Sequence, residues 1–217
     1  MSKTAEINPT KARSAQGKSA KARPGRAEIL SAALDLFSGY GFHGTSMALL
    51  AKTAKIPVGT IYRHFSGKEE LIHALHLQLK QERFDAMLKG YSNGLSVRER
   101  FDLIWTNTYD YCLKHPREFI FTEQYAFSPF LKDASQAVHA IAPPELGKFY
   151  EDGYSEGLFK PLRPSILFSL MSGPLNALIR RAIAGLFTLD DDTLRQARDA
   201  CWDAITIQKN QGAQNAI

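Results

Sequence analysis

Residues 57–65 read Pro-Val-Gly-Thr-Ile-Tyr-Arg-His-Phe, and the front of the chain is organised around them. Ile61 and Phe65 stand one helical turn apart and can share a buried face, which turns Thr60, Tyr62, Arg63 and His64 largely outward. Hydroxyl, phenol, guanidinium and imidazole groups in one row are the chemistry that meets phosphates and base edges. Pro57 suits the first turn of a short helix, where its missing N–H costs nothing. Gly59 removes side-chain bulk at a point where a backbone would approach DNA closely.

Upstream, Leu50, Ala51 and Ala54 share one face of another short helix, with Thr45 as its expected N-cap and Lys55-Ile56-Pro57 as the tight break after it. Before that, Ile29, Ala33, Leu36 and Phe37 recur at helical spacing over about residues 26–38, and Gly39, Gly41 and Gly44 end the run. Three short helices between residues 26 and 65, the second and third joined by a tight turn, have the dimensions of a helix-turn-helix at about 46–65. In that motif the last helix lies in the major groove.

Downstream, Ser66-Gly67-Lys68-Glu69 reads as a capping box opening a fourth helix, which carries Leu71, Ile72, Leu75 and Leu79 to about Gly90. Further helical stripes, bounded by prolines and glycines, follow at 98–113, 117–127, 133–142, 145–156, 164–186 and 191–209. No alternating strand pattern and no internal repeat is present. The expected fold is all-α: a three-helix helix-turn-helix domain over 25–70, then a helical bundle over 71–217 that dimerises. Residues 1–24 are rich in Lys, Arg, Ala and Ser with almost nothing large and apolar, the composition of a disordered basic arm.

The net charge is +5, and it is unevenly placed: the arm alone sums to +5, residues 25–90 to +2 and residues 91–217 to −2. A basic front and a slightly acidic back suit an N-terminal end that meets a polyanion. Cys112 and Cys201 are far apart without a CxxC spacing, as expected of two buried reduced thiols. No apolar run approaches a membrane span, and the arm lacks the apolar centre of a secretory signal, so no membrane partner and a cytoplasmic location are expected. No nucleophile–base set is anchored by a motif and no Gly-rich phosphate loop occurs, which speaks against an enzyme and against a cofactor. His73 and His76 lie at i, i+3 without a third ligand nearby, so they read as a solvated pair and no metal is expected.

Gly-Thr-Ile-Tyr-Arg-His-Phe-Ser-Gly-Lys-Glu-Glu-Leu at 59–71 resembles the signature segment of the TetR/AcrR family of transcriptional regulators. Ala-Glu-Ile-Leu-Ser-Ala-Ala-Leu-Asp-Leu-Phe at 27–37, Gly-Phe-His-Gly-Thr-Ser at 41–46 and Leu-Ala-Lys-Thr-Ala at 50–54 resemble its first two helices in order and spacing. The resemblance implies phosphate contacts from Thr45, Thr60, Tyr62, His64 and Lys68 and base contacts from Val58 and Arg63. Lys55 and Gly59 complete the expected DNA-facing set. The chain departs from the family at Lys55, where a glycine is usual, and at Pro57, where a Ser-type cap is usual. That leaves Val58 with only an apolar contact to offer and Arg63 as the obvious guanine reader.

The same resemblance implies a C-terminal ligand pocket and a four-helix dimer interface. Trp105, Tyr109, Phe119, Phe121, Tyr125, Phe168, Met171 and Asn176 would make a mostly aromatic pocket for a small apolar or aromatic effector. The helices at 164–186 and 191–209 are the homodimer candidates, with Gly173 and Ala177 permitting close approach. The expected function is a ligand-responsive regulator, a repressor binding a double-stranded inverted-repeat operator. Two other readings stay open at this stage. One is a sequence-indifferent basic DNA-binding protein; the other is a helical small-molecule binder with a vestigial DNA-binding domain. If Lys21 and Arg23 of the arm lie in or beside the minor groove, deleting residues 1–22 weakens DNA binding and flattens its salt dependence. Fluorescence anisotropy titrations from 50 to about 200 mM salt check this, and an unchanged slope removes the arm from the interface.

Overall fold

The computed structural model describes residues 25–130, 141–186, 188 and 190–208. The basic arm lies outside these residues, and so does most of the candidate helix at 133–142. Among the described residues the chain is helical throughout: α1 (Arg26–Gly44), α2 (Met47–Ala54), α3 (Val58–His64), α4 (Lys68–Met87), α5 (Val97–Lys114), α6 (Pro116–Ala126), α7 (Pro144–Ser155), α8 (Pro164–Ile183) and α9 (Asp191–Ile205).

α1 buries Ile29, Leu30, Ala33, Leu34, Leu36 and Phe37 on one stripe. It outlasts the expected end at residue 38 because only Gly41 leaves helical geometry, at φ +69° and ψ 176°, a conformation essentially reserved for glycine. Phe42 beyond it turns back into the core. Thr45 was expected to cap α2, but its side chain is 1% exposed and its hydroxyl donates to the carbonyls of Gly41 at 3.0 Å and Leu36 at 3.3 Å. It fastens the kink instead. Ser46 is the cap, its hydroxyl oxygen accepting the Leu49 N–H at 3.1 Å.

Lys55 ends α2 in the left-handed region, at φ 56° and ψ 35°, with its N–H on Lys52 O at 3.3 Å and the Ile56 N–H on Ala51 O at 3.0 Å. This is a left-handed C-terminal closure built on a residue with a Cβ. Pro57 sits at the cap of α3, one position before the expected first turn, and its carbonyl accepts the Thr60 N–H at 2.8 Å. The capping box of α4 is also displaced by one: Gly67 is the cap, and Glu70 accepts the Ser66 N–H at 2.6 Å where Glu69 was expected. Hydrogen bonding from the Ser66 side chain first, and then from its backbone N–H, holds the Glu70 carboxyl below its usual range. A reciprocal box that sequence reading missed opens α5, where Ser96 and Glu99 bond each other's backbone N–H at 3.2 and 2.8 Å.

Two cores result. The first gathers Phe37, Leu50, Ile61, Phe65, Leu71 and Leu75 around the helix-turn-helix, and also takes Phe121 and Tyr125 from α6. The second holds Phe101, Trp105, Phe119, Phe149, Leu167, Ile179 and Ile205 from α5 to α9. The expected boundary at residue 70 therefore falls at the start of a helix that serves both cores: α4 gives Leu71 to Leu79 to the first and Met87 to the second.

The second core is tied by ion pairs. Arg100, 2% exposed, reaches Asp152 of α7 at 2.8 Å, and Lys148 reaches the same carboxylate at 2.5 Å. Asp102 takes Arg98 at 3.0 Å and Arg198 of α9 at 3.1 Å. α9 stops at Ile205, short of the expected 209, because Thr206 leaves the helix to form an isolated antiparallel bridge with Phe159. The Ile207 N–H bonds Leu158 O at 2.8 Å. α8 stops at Ile183, closed by Gly185 at φ +68°. Gly153 lets the Phe159 ring lie on α7, since a Cβ there would be 2.1 Å from the ring. Cys112 and Cys201 are buried and free, as expected.

Left-handed backbone on a residue with a Cβ costs about 1–2 kcal/mol. Lys55→Gly is therefore expected to stabilise the protein by about 1 kcal/mol, a gain of roughly 2–4 °C in Tm for a chain of this size. Thermal unfolding followed by circular dichroism reads it directly, and a lower Tm contradicts the strain.

Candidate nucleic-acid interface and internal cavity

α3 is short and is fixed from beneath by Ile61 and Phe65, both essentially buried. The Arg26 guanidinium lies 5.3 Å from the Phe65 ring centroid, adding a contact from the start of α1. With those two side chains held inward, Val58, Gly59, Tyr62 and Arg63 face solvent, Tyr62 being 52% exposed. Thr60 and His64 are half-buried at the edge of that face. The His64 Nε2 atom is enclosed without a hydrogen-bond partner among the described residues. A Cβ at Gly59 would meet nothing within 4 Å, so internal packing does not demand the glycine.

Lys55 precedes α3 and is exposed, and Lys68 follows it at the first position of α4. Two cations thus bracket a face of donors, and the free N–H groups of α4's first turn add to the attraction for a phosphate. Of the nine residues expected to face DNA, eight belong to α3 or flank it. Thr45 does not join them: its side chain is enclosed and its hydroxyl is committed to α1 carbonyls.

A second concave feature lies between α4, α5, α6, α7 and α8, a cavity of about 250 Å3. Of the eight residues expected to bind a ligand, Trp105, Phe168, Met171 and Asn176 line it. The other four expected pocket residues do not. Phe121 and Tyr125 turn to the opposite face of α6 and pack in the first core, with the Phe121 ring 5.4 Å from Phe42 and 6.1 Å from Phe37. Phe119 and Tyr109 fill the second core, Tyr109 stacking behind Trp105 at 6.1 Å. The aromatic stripe was misread because α6 has two buried faces, and its cavity face is Thr122, Glu123 and Ala126.

Sequence reading also missed Lys80, Arg83, Phe84 and Met87, which bring the second half of α4 into the wall. Their i, i+3, i+4 and i+7 spacing was the available signal. Burial, reinforced by Arg83, pushes the Lys80 ammonium down to about 8. Arg83 donates to Asn176 Oδ1 at 3.4 Å, and Asn176 donates in turn to Glu123 at 3.5 Å. Glu123 is held by Arg180 at 2.5 Å. Burial pushes the Tyr150 phenol up to about 12, so it stays neutral in the wall.

His73 and His76 are not the solvated pair that the sequence suggests. His76 is 2% exposed and stacks on Tyr125 with ring centroids 3.7 Å apart, while His73 Nδ1 lies 2.7 Å from the Tyr125 hydroxyl. Both ring nitrogens of His76 are buried without a partner among the described residues. Burial first, then Lys80 and His73, pushes it down to about 3. Among the described residues no three His, Cys, Asp or Glu side chains are grouped to hold a metal, and no helix is long and apolar enough to cross a membrane.

Residues 29–75 match the family described as bacterial regulatory proteins, tetR family, and residues 96–206 match the family described as tetracyclin repressor-like, C-terminal domain. The Escherichia coli helix-turn-helix-type transcriptional regulator UidR is 49% identical over 63 residues, which cover 29% of this chain and about a third (32%) of that protein. A helix-turn-helix-type transcriptional regulator of Haemophilus influenzae is 25% identical over 82% of this chain and 94% of its own length. A TetR family protein from Vibrio parahaemolyticus superposes with a TM-score of 0.74 at 31% identity, over 84% of this chain and 99% of that one. A TetR family regulator from Marinobacter aquaeolei gives 0.77 at 26% identity, over 84% of this chain and 96% of that one.

A buried histidine that stays neutral in the folded chain must be protonated at low pH in the unfolded one. Its depressed value means the unfolded state binds the extra proton between about pH 6.5 and pH 3, so the stability held above pH 6.5 is lost as pH falls through that window. His76→Phe, which keeps a ring on Tyr125, should remove that loss. Relative to the variant, the natural protein is expected to lose about 1 kcal/mol per pH unit below pH 6. Urea unfolding at pH 7.5 and pH 4.5 measures the difference, and parallel losses in the two proteins would refute the assignment.

Proposed function

The chain belongs to the TetR family of bacterial transcriptional regulators, and from that premise we propose that it represses transcription as a dimer, released from an inverted-repeat operator when a small molecule enters the cavity. The observation that carries this reading is the double duty of α6. Thr122 and Glu123 stand in the cavity wall, while Phe121 and Tyr125 on the opposite face are part of the core that seats α1 to α4. α4 repeats the arrangement along its length, with Leu71 to Leu79 in the first core and Lys80 to Met87 at the cavity.

A molecule in the cavity therefore presses on the two helices that set the pose of the DNA-binding domain. Its effect on DNA is its preference between two poses of that domain: one holds the recognition helices of a dimer about 34–36 Å apart, the other does not. Dimerisation is supported by α8, which leaves Ile166 exposed and carries an open, exposed Gly173 where two helices can approach closely. Phosphate contact is assigned to Thr60, Tyr62, His64 and Lys68, with Lys55 beside them and Gly59 leaving room for the backbone. Base contact is assigned to Val58 and Arg63.

Selection from a random-sequence DNA pool is the decisive experiment. The natural protein is expected to enrich an inverted repeat, and Tyr62→Ala with Arg63→Ala to lose at least tenfold in affinity for it. Binding without a consensus, unchanged in the double variant, would replace this reading with sequence-indifferent attraction to DNA.

A further inference from the structure

The cavity is apolar along most of its wall, with Phe84, Ile104, Trp105, Phe149, Met171 and Leu175 among its lining, but α4 also brings two cations to it. There Lys80 and Arg83 stand one turn apart on the same helix and both line the space. Among the described residues neither forms an ion pair with a carboxylate. Glu123, the acidic group in the wall, is already taken by Arg180 from outside and by Asn176. Two like charges enclosed beside apolar side chains, with the nearby carboxylate committed elsewhere, leave an unmet demand for negative charge. Burial first, then Arg83, depress the Lys80 ammonium, and Glu123 offsets only part of this.

Size narrows the class further. A 150 Å3 apolar cavity accommodates benzene, so about 250 Å3 corresponds to on the order of ten non-hydrogen atoms. Glu123 on the same wall disfavours a second negative charge on the guest.

We propose that the cavity binds a small amphipathic monoanion, a carboxylic acid of about ten heavy atoms, with its carboxylate on Lys80 and Arg83 and its hydrocarbon body against Phe84, Trp105 and Phe149. This names the chemical class of the effector and rests on the reading of the cavity as the effector site.

The test is calorimetric titration of the full chain at pH 7 with octanoate and 3-phenylpropanoate, their primary amides and the corresponding amines. The carboxylates are expected to bind at least tenfold more tightly than the amides, and the amines not at all. Lys80→Met and Arg83→Met should each bring the carboxylates down to the amide level while amide binding changes less than about twofold; the retained amide binding shows that the variant cavity is intact. Equal binding of carboxylate and amide, carboxylate binding indifferent to both variants, or no binding by any probe overturns the proposal. DNA affinity measured in the same samples separates the two readings. Carboxylate binding that leaves DNA affinity unchanged defeats the effector role and upholds the ligand class. DNA release by amide or amine alone defeats the ligand class and upholds the effector role.

Discussion

The rest of the molecule depends on Phe121 and Tyr125 being buried in a core that is not their own. Both come from α6, in the C-terminal half, and both are essentially inaccessible among Phe37, Phe42 and the apolar face of α4. Edge-to-face contacts of Phe42 with Phe121 and with Phe37, at 5.4 and 5.5 Å, give the junction directional preference beyond area burial. The ion pair between Arg117 of α6 and Asp35 of α1 sits outside it in solvent, where it adds orientation more than energy. Close-packed aromatic contacts of this kind do not deform continuously, so α6 and the N-terminal core are mechanically joined.

α5 plays the complementary, fixed part. Its capping box, its buried Arg100 on Asp152 and its Asp102 between Arg98 and Arg198 anchor it to α7 and α9. A side chain as enclosed as Arg100 is costly to leave unpaired, so the α5–α7 pairing is hard to open without unfolding the second core. Of the five helices that line the cavity, α5 is thus anchored to α7, while α4 and α6 continue into the core of the DNA-binding domain.

How much of this was readable in sequence follows from the range of the interactions. The helix-turn-helix was legible because its determinants are local: Ile61 and Phe65 one turn apart, a break at 55–57, caps and prolines at fixed offsets. The starts of α6 and α8 were legible for the same reason, each marked by a proline. Thr45 was misassigned because two adjacent hydroxyls, Thr45 and Ser46, both satisfy the local rule; only the long reach to Leu36 O decides which is buried. The pocket list failed at Phe121 and Tyr125 because an aromatic helix gives no sign of which neighbour each face meets. Lys80 and Arg83 were overlooked because charged residues late in a long helix ordinarily face water. The end of α9 escaped notice because it is set by a bridge to Phe159, more than forty residues away.

The position of Trp105 gives the protein an optical property of its own. It is one of two tryptophans in the chain and lies in the cavity wall. Trp202, the other, is set under the Arg98 guanidinium at 5.1 Å and against Phe101, away from the lining. Emission from the two indoles therefore partitions by location, one reporting the interior of the bundle and the other its α5–α9 seam. Filling the cavity and loosening the seam leave different spectral traces, so the unlabelled protein carries its own pair of local probes.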